Sequence, residues 1–86
     1  MSWVVYILRC ADDSLYTGIT IDLARRIHEH NNDNKKGAKY TRVRRPVRPV
    51  YQEVCDNRAH ASRREFELKK LSRSKKMQLI ELNGTL

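Results

Sequence analysis

Residues 3–10, WVVYILRC, are apolar on both alternations and rich in β-branched and aromatic side chains. Such a run predicts a strand covered on both faces. ADDS at 11–14 is turn chemistry. LYTGI at 15–19 predicts a second short strand, close enough to the first to form a hairpin. The period then changes. Thr20 or Asp22 can cap a helix running to about Asn31, with Leu23, Ile27 and His30 on one stripe. Asp22, Arg26 and His30 step by four, so Arg26 and His30 are neighbours on the helix surface. NNDNKKGAKYTRVRRP at 31–46 has neither period and predicts a long loop. Long loops in compact domains are usually functional or disordered. RPVYQEV at 48–54 predicts a third strand, with Pro49 placing its start near a sheet edge. Asp56 or Asn57 caps a second helix from about 58 to 71. A third follows Ser72, at roughly 73–82, with apolar surface from Leu79, Ile80 and Leu82. NGTL at 83–86 reads as a frayed end.

The predicted order is β-β-α-β-α-α. Strands and helices mix without βαβ repetition, which predicts an α+β fold: a small three-stranded antiparallel sheet flanked by helices. The 86 residues suit a single domain, 1–86, with no internal repeat. A domain of this size buries only ~60–65% of the surface its unfolded chain exposes. Its core is thin, so an inward-pointing charge is informative.

Charge adds a partner to this picture. Lys plus Arg number 18 against 10 acids, a net charge of +8. The excess is clustered. Residues 35–48 hold Lys35, Lys36, Lys39, Arg42, Arg44, Arg45 and Arg48 with no acid among them, and residues 63–76 are also mostly basic. A solubilising surface would explain the excess, but the clustering favours a polyanion, most simply nucleic acid. Cys10 and Cys55 each end an apolar run, with no CxxC and no close Cys/His cluster. A zinc site is not expected; two cysteines allow a disulfide on counting alone, but buried free thiols are the favoured state. There is no signal-peptide pattern and no apolar run of membrane-spanning length, so no membrane partner and a cytoplasmic location are expected.

The chemistry-bearing residues are few. Glu65 borders the apolar stripe of Ala61, Leu68 and Leu71 on its helix. It is a metal ligand or acid/base, or an exposed glutamate paired with Lys69 at i+4. Arg26 can hold a phosphate with two hydrogen bonds, or pair with Asp22. His30 is a proton carrier, a phosphate contact or a polar helix end. Gly18, Gly37 and Gly84 are too scattered for a phosphate-binding loop. If a metal is used, one divalent ion with mostly water ligands fits better than a two-metal site.

These residues, in this order, resemble the GIY-YIG endonucleases, most closely the small stand-alone bacterial group, over about residues 3 to 80. Family members carry Gly-Ile-Tyr and, about ten residues on, Tyr-Ile-Gly. Here stand Val4-Val5-Tyr6 and Tyr16-Thr17-Gly18. The family arginine corresponds to Arg26, the following His or Tyr to His30, and the metal-holding glutamate to Glu65 within SRREFELKKL. GAKYT at 37–41 and RRP at 44–46 are similar to a loop of the small members. Two positions depart. Val4 replaces the first glycine, and Ile19 stands where many members have Lys.

The resemblance implies phosphodiester hydrolysis with one Mg²⁺ or Mn²⁺. Glu65 would anchor the ion and Arg26 would offset charge on the phosphorus. Tyr6 would take a proton from water, directly or through His30, while Tyr16 hydrogen-bonds within the network or orients the water. A nearby metal, Arg26 and the positive field are expected to lower the Tyr6 pKa toward working pH, giving a rate that rises with pH. Lys36, Lys39, Arg42, Arg44 and Arg45 would hold the phosphate backbone. Tyr40 would stack on an unpaired base or, as the favoured reading, pack within its loop. The expected substrate is DNA, single-stranded or structured, read with little sequence specificity. RNA stays open, as does a monomer or weak homodimer. The alternatives are a non-catalytic basic nucleic-acid-binding module and an adaptor for an acidic protein.

Overall fold

A computed structural model describes residues 2–83. The elements are β1 (Trp3–Arg9), β2 (Leu15–Thr20), α1 (Leu23–Asn32), α2 (Lys39–Arg42), β3 (Arg48–Cys55), α3 (Arg58–Lys69) and α4 (Arg73–Leu82). The sheet order is β2-β1-β3, and both pairings are antiparallel.

The central place of β1 explains its apolar residues on both alternations. Val5 and Ile7 face one side, in a core with Tyr51, Cys55, Ala61, Leu68 and Ile80. Tyr6, Leu8 and Cys10 face the other, packed with Val47, Leu23 and Ile27. The sheet therefore separates two thin cores, α3 and α4 covering one face and α1 the other. Pro49 sits opposite Leu8, where the β1–β3 register shifts. An edge strand with a bulge tolerates its missing N–H. In the hairpin turn Asp13 takes φ 69°, a left-handed conformation that aspartate adopts more readily than most residues. Both cysteines are free and buried.

The helix starts follow side-chain capping. Asp22, not Thr20, caps α1 by accepting Arg25 N–H at 3.1 Å. Asn57, not Asp56, caps α3 through His60 N–H at 2.8 Å. Ser72 caps α4 through Lys75 N–H at 3.2 Å. Of the expected frayed end at 83–86, Asn83 closes α4 by donating its N–H to the Leu79 carbonyl at 3.2 Å, and 84–86 lie outside the described residues.

The expected long loop at 31–46 is corrected. It contains the one-turn helix α2 and is held by polar side chains bonded to backbone. Asn31 clamps Val47 in both directions, donating to its carbonyl at 3.0 Å and accepting its N–H at 2.7 Å. Arg45 reaches back to the end of α1, donating to the carbonyls of His30 at 2.6 Å and Asp33 at 3.1 Å. A Cβ on Gly37 would stand 2.6 Å from the carbonyl oxygens of Asp33 and Glu29, so only glycine lets the chain pass this close. None of these bonds leaves a hydrophobic period, so the pattern of apolar residues does not reveal them. Among the described residues, no helix is long and apolar enough to cross a membrane.

Candidate active site

Tyr6 lies in the middle of the central strand, directly opposite Gly18 on β2. A Cβ on Gly18 would stand 2.5 Å from Tyr6 Oη and 2.7 Å from Cζ. The phenol therefore lies across Gly18, and contact rather than backbone conformation demands glycine there. Tyr6 is almost wholly buried, and its Oη is 2.9 Å from His30 Nε2. His30 is fully buried at the end of α1, one helical turn beyond Arg26. Its other ring nitrogen, Nδ1, is 2.9 Å from Thr41 Oγ1. Thr41 is also fully buried, on α2. Tyr16 meets the His30 ring edge-on at 5.2 Å and stacks on Tyr40 at 5.8 Å. The Arg44 guanidinium lies 3.9 Å over the Tyr40 ring. Tyr40 thus lies between Tyr16 and Arg44 and is still 39% exposed.

Burial sets the protonation states. It pushes Tyr6 up to about 12, helped by the neighbouring phenol of Tyr16 and opposed by the Arg26 cation. It pushes His30 down to about 4, helped by the charges of Arg26 and Arg45 and opposed by Glu29. The expectation that Arg26 lowers the Tyr6 pKa toward working pH is corrected: in the protein itself, desolvation outweighs the cation. At neutral pH the site holds a neutral phenol against a neutral imidazole.

Two charges flank this pair. Arg26 is partly exposed and donates to Glu29 Oε1 at 3.0 Å and to the Lys36 carbonyl at 2.6 Å. Glu65 projects from α3, the helix that packs against β1 and β2 from the other face. Its side chain is 25% exposed and 3.4 Å from Lys69 Nζ. Of the expectations for Glu65, the structure shows the ion pair with Lys69. The carboxylate is also close enough to Tyr6 to disfavour its anion.

This order of elements and side chains matches the description of a known domain. The family model of the GIY-YIG catalytic domain matches residues 2–78. The chain belongs to the GIY-YIG family. A UPF0213 protein of Desulfotalea psychrophila is 55% identical over 80 residues, covering 93% of this chain and 72% of that protein. A UPF0213 protein of Staphylococcus saprophyticus is 53% identical over 76 residues, covering 88% of this chain and 90% of that protein. The solution structure of a UPF0213 protein from Bacillus halodurans is 50% identical, with a TM-score of 0.61, covering 98% of this chain and 87% of that one. A GIY-YIG domain implies nuclease activity and a nucleic-acid substrate, and such nucleases generally use a divalent metal.

Within this GIY-YIG domain the donor set for a metal is narrow. No group of three or more His, Cys, Asp or Glu converges among the described residues. A lone, accessible carboxylate suits a hard ion that keeps most of its waters and takes phosphate oxygens as further ligands. Glu65 fits that role, provided Lys69 yields the carboxylate.

The five basic residues expected on the nucleic acid separate into two groups. Lys36, Lys39 and Arg42 are exposed. Arg44 pairs with Asp12 at 3.1 Å and donates to the Tyr40 carbonyl. Arg45 turns inward to the end of α1 and also donates to Asn34 Oδ1 at 2.9 Å. The geometry gives those two arginines structural work. Sequence reasoning missed Thr41 as a site residue. It lies inside the GAKYT segment, but only the folded loop shows that its hydroxyl meets His30.

Proposed function

We propose that this chain is a metal-dependent endonuclease that hydrolyses phosphodiester bonds in DNA, using single-stranded or structured DNA with little sequence specificity. It acts in the cytoplasm and takes Mg²⁺ or Mn²⁺. The observation that carries the reading is the buried Tyr6–His30 pair at 2.9 Å, flanked by Arg26 and Glu65. A protein that only binds nucleic acid by charge has no use for a neutral phenol–imidazole couple beneath its cations.

In the proposed reaction, the oxygen of water attacks phosphorus and the bond to the 3′ oxygen breaks. As the water oxygen bonds to phosphorus, its proton passes to Tyr6 Oη while the Tyr6 proton passes to His30 Nε2, and the imidazolium, disfavoured by burial, returns that proton through Tyr6 to solvent once the product leaves. No free tyrosinate forms, which matters for a phenol held near 12. The leaving oxygen takes its proton from solvent. Arg26 stabilises the added negative charge on the phosphoryl oxygens as a preorganised cation. Tyr16, edge-on to His30, fixes the imidazole plane and orients the water. Glu65 would hold the divalent ion, which would supply Lewis-acid stabilisation to the leaving oxygen. Lys36, Lys39 and Arg42 hold the backbone, which positions DNA without reading sequence.

The raised Tyr6 and the Lys69–Glu65 pair also suit a second reading, a nucleic-acid-binding module that does not cut. Labelled single-stranded, duplex and branched DNA, incubated with Mg²⁺, Mn²⁺ or chelator, separates the two. Wild type is expected to cleave only with metal. Glu65→Ala and Tyr6→Phe are expected to lose cleavage by at least about 100-fold while still binding. Full cleavage by either variant would remove that residue from the mechanism. Wild-type binding without any cleavage would leave the binding module.

A further inference from the structure

We propose that Thr41 is a positioning residue that fixes the tautomer of His30, so that the imidazole presents an open lone pair to Tyr6; the catalytic part of this rests on the nuclease reading above.

Counting protons fixes the tautomer. Thr41 has a single hydroxyl proton and two close neighbours. The carbonyl oxygen of Ala38 is 3.0 Å away and His30 Nδ1 is 2.9 Å away. A carbonyl oxygen can only accept. If the Thr41 proton went to Nδ1, two oxygens would face each other at 3.0 Å with lone pairs opposed. The proton therefore goes to Ala38, whose second lone pair takes Arg42 N–H at 3.1 Å. Thr41 Oγ1 is left as an acceptor, and Nδ1 must carry the imidazole hydrogen. Nε2 then holds a lone pair toward Tyr6 Oη, which donates to it.

The result is a chain with every proton pointing the same way. Tyr6 Oη–H donates to Nε2, Nδ1–H donates to Thr41 Oγ1, and Thr41 O–H donates to the Ala38 carbonyl. One contact opposes it. The Ala38 N–H lies 3.4 Å from Nδ1 and would suit the other tautomer. It is the longest contact in the cluster, and the 2.9 Å contact of Nδ1 with Thr41 Oγ1 outweighs it. The tautomer has a chemical consequence. With hydrogen on Nε2 the imidazole would donate to Tyr6 and could not take its proton, so the transfer from water would stop at Tyr6.

The surrounding loop is built to hold this contact. Gly37 lets the chain close on the end of α1, and Arg45 ties the His30 carbonyl at 2.6 Å. Both Thr41 and His30 are 0% exposed, so no water competes for Nδ1. A neutral hydroxyl orients the ring without adding a buried carboxylate that would itself need a partner.

The test is nitrogen NMR on the labelled full-length chain, with the other two histidines, His28 and His60, assigned by His28→Gln and His60→Gln. Wild-type His30 is expected as a neutral ring protonated at Nδ1. Thr41→Val keeps the shape but removes the acceptor. It is expected to move His30 toward the Nε2-protonated form and lower cleavage about 10- to 100-fold, as loss of an imidazole's orienting partner does elsewhere. DNA affinity in Ca²⁺ should stay within about two-fold, because the exposed cations are untouched. Thr41→Ser should restore both tautomer and rate. A wild-type His30 protonated at Nε2 overturns the proposal, and that spectrum needs no variant to fold. So does a Thr41→Val protein with wild-type cleavage. If the wild type cuts nothing, the nuclease reading fails, and the spectra still decide what Thr41 does.

Discussion

At the scale of single residues, Tyr6 and His30 pose a direct question about pH. Burial holds the phenol near 12 and the imidazole near 4. If a preformed tyrosinate were the base, its population and the rate would climb about tenfold per pH unit up to its pKa. If the proton passes on to His30, the rate depends instead on a neutral imidazole. His30 is neutral well above pH 4, so the expected cleavage rate is level from about pH 6 to 9 and falls as the ring protonates below about pH 5. Single-turnover cleavage across that range checks it, and a tenfold rise per unit would favour the tyrosinate. Sequence alone pointed to both residues, because Tyr6, Tyr16, Gly18, Arg26 and His30 keep a family order. It could not supply the sign of the Tyr6 shift. That sign comes from competition between desolvation and the Arg26 charge, and depth of burial is not written in a motif.

At the scale of elements, strands and caps were legible because local rules govern them. β1 is apolar on both alternations and lies between two neighbours. Asp22, Asn57 and Ser72 cap the three long helices. The segment 33–46 was opaque because side chains bonded to distant backbone hold it. Arg45 tests this difference. Its place in the basic segment suggests a phosphate contact, yet the structure engages it with the carbonyls of His30 and Asp33 and with Asn34. Arg45→Ala is expected to cost about 1–3 kcal/mol, since it removes the side-chain donor to the part-buried His30 carbonyl and one of the two donors to Asp33. Cleavage should fall with it, because α2 carries Thr41. Lys39→Ala should leave stability within about 0.5 kcal/mol. It should weaken DNA binding and reduce the salt slope by about one counterion. Urea unfolding beside salt-dependent binding checks both variants. An Arg45→Ala protein as stable as wild type but with a reduced salt slope would return Arg45 to the nucleic-acid surface.

At the scale of the whole molecule, two thin cores on a three-stranded sheet leave little room for buried polar groups, and those present set the response to acid. His30 is buried and neutral. Its pKa falls from 6.5 to about 4 on folding, so the unfolded chain binds the extra proton between those values. Stability is therefore expected to fall as pH drops from about 6.5 toward 4. Glu53 adds a lower window. Burial pushes its pKa up, but hydrogen bonds from Arg64, at 2.8 and 3.0 Å, and from Tyr51 outweigh burial and leave it lowered. The stability it contributes is present above its ordinary value of 4.5 and is lost as pH falls through its folded value. The same bonds tie α3, which carries Glu65, to β3, so acid should loosen the relation of Glu65 to Tyr6. Urea unfolding of wild type should be level from about pH 9 to 7 and decline in two stages below that. His30→Gln should lose the upper stage and keep the lower one. A wild type as stable at pH 5 as at 7.5 would mean that His30 is not held neutral. The proton chain from Tyr6 to Thr41 would then lack its acceptor.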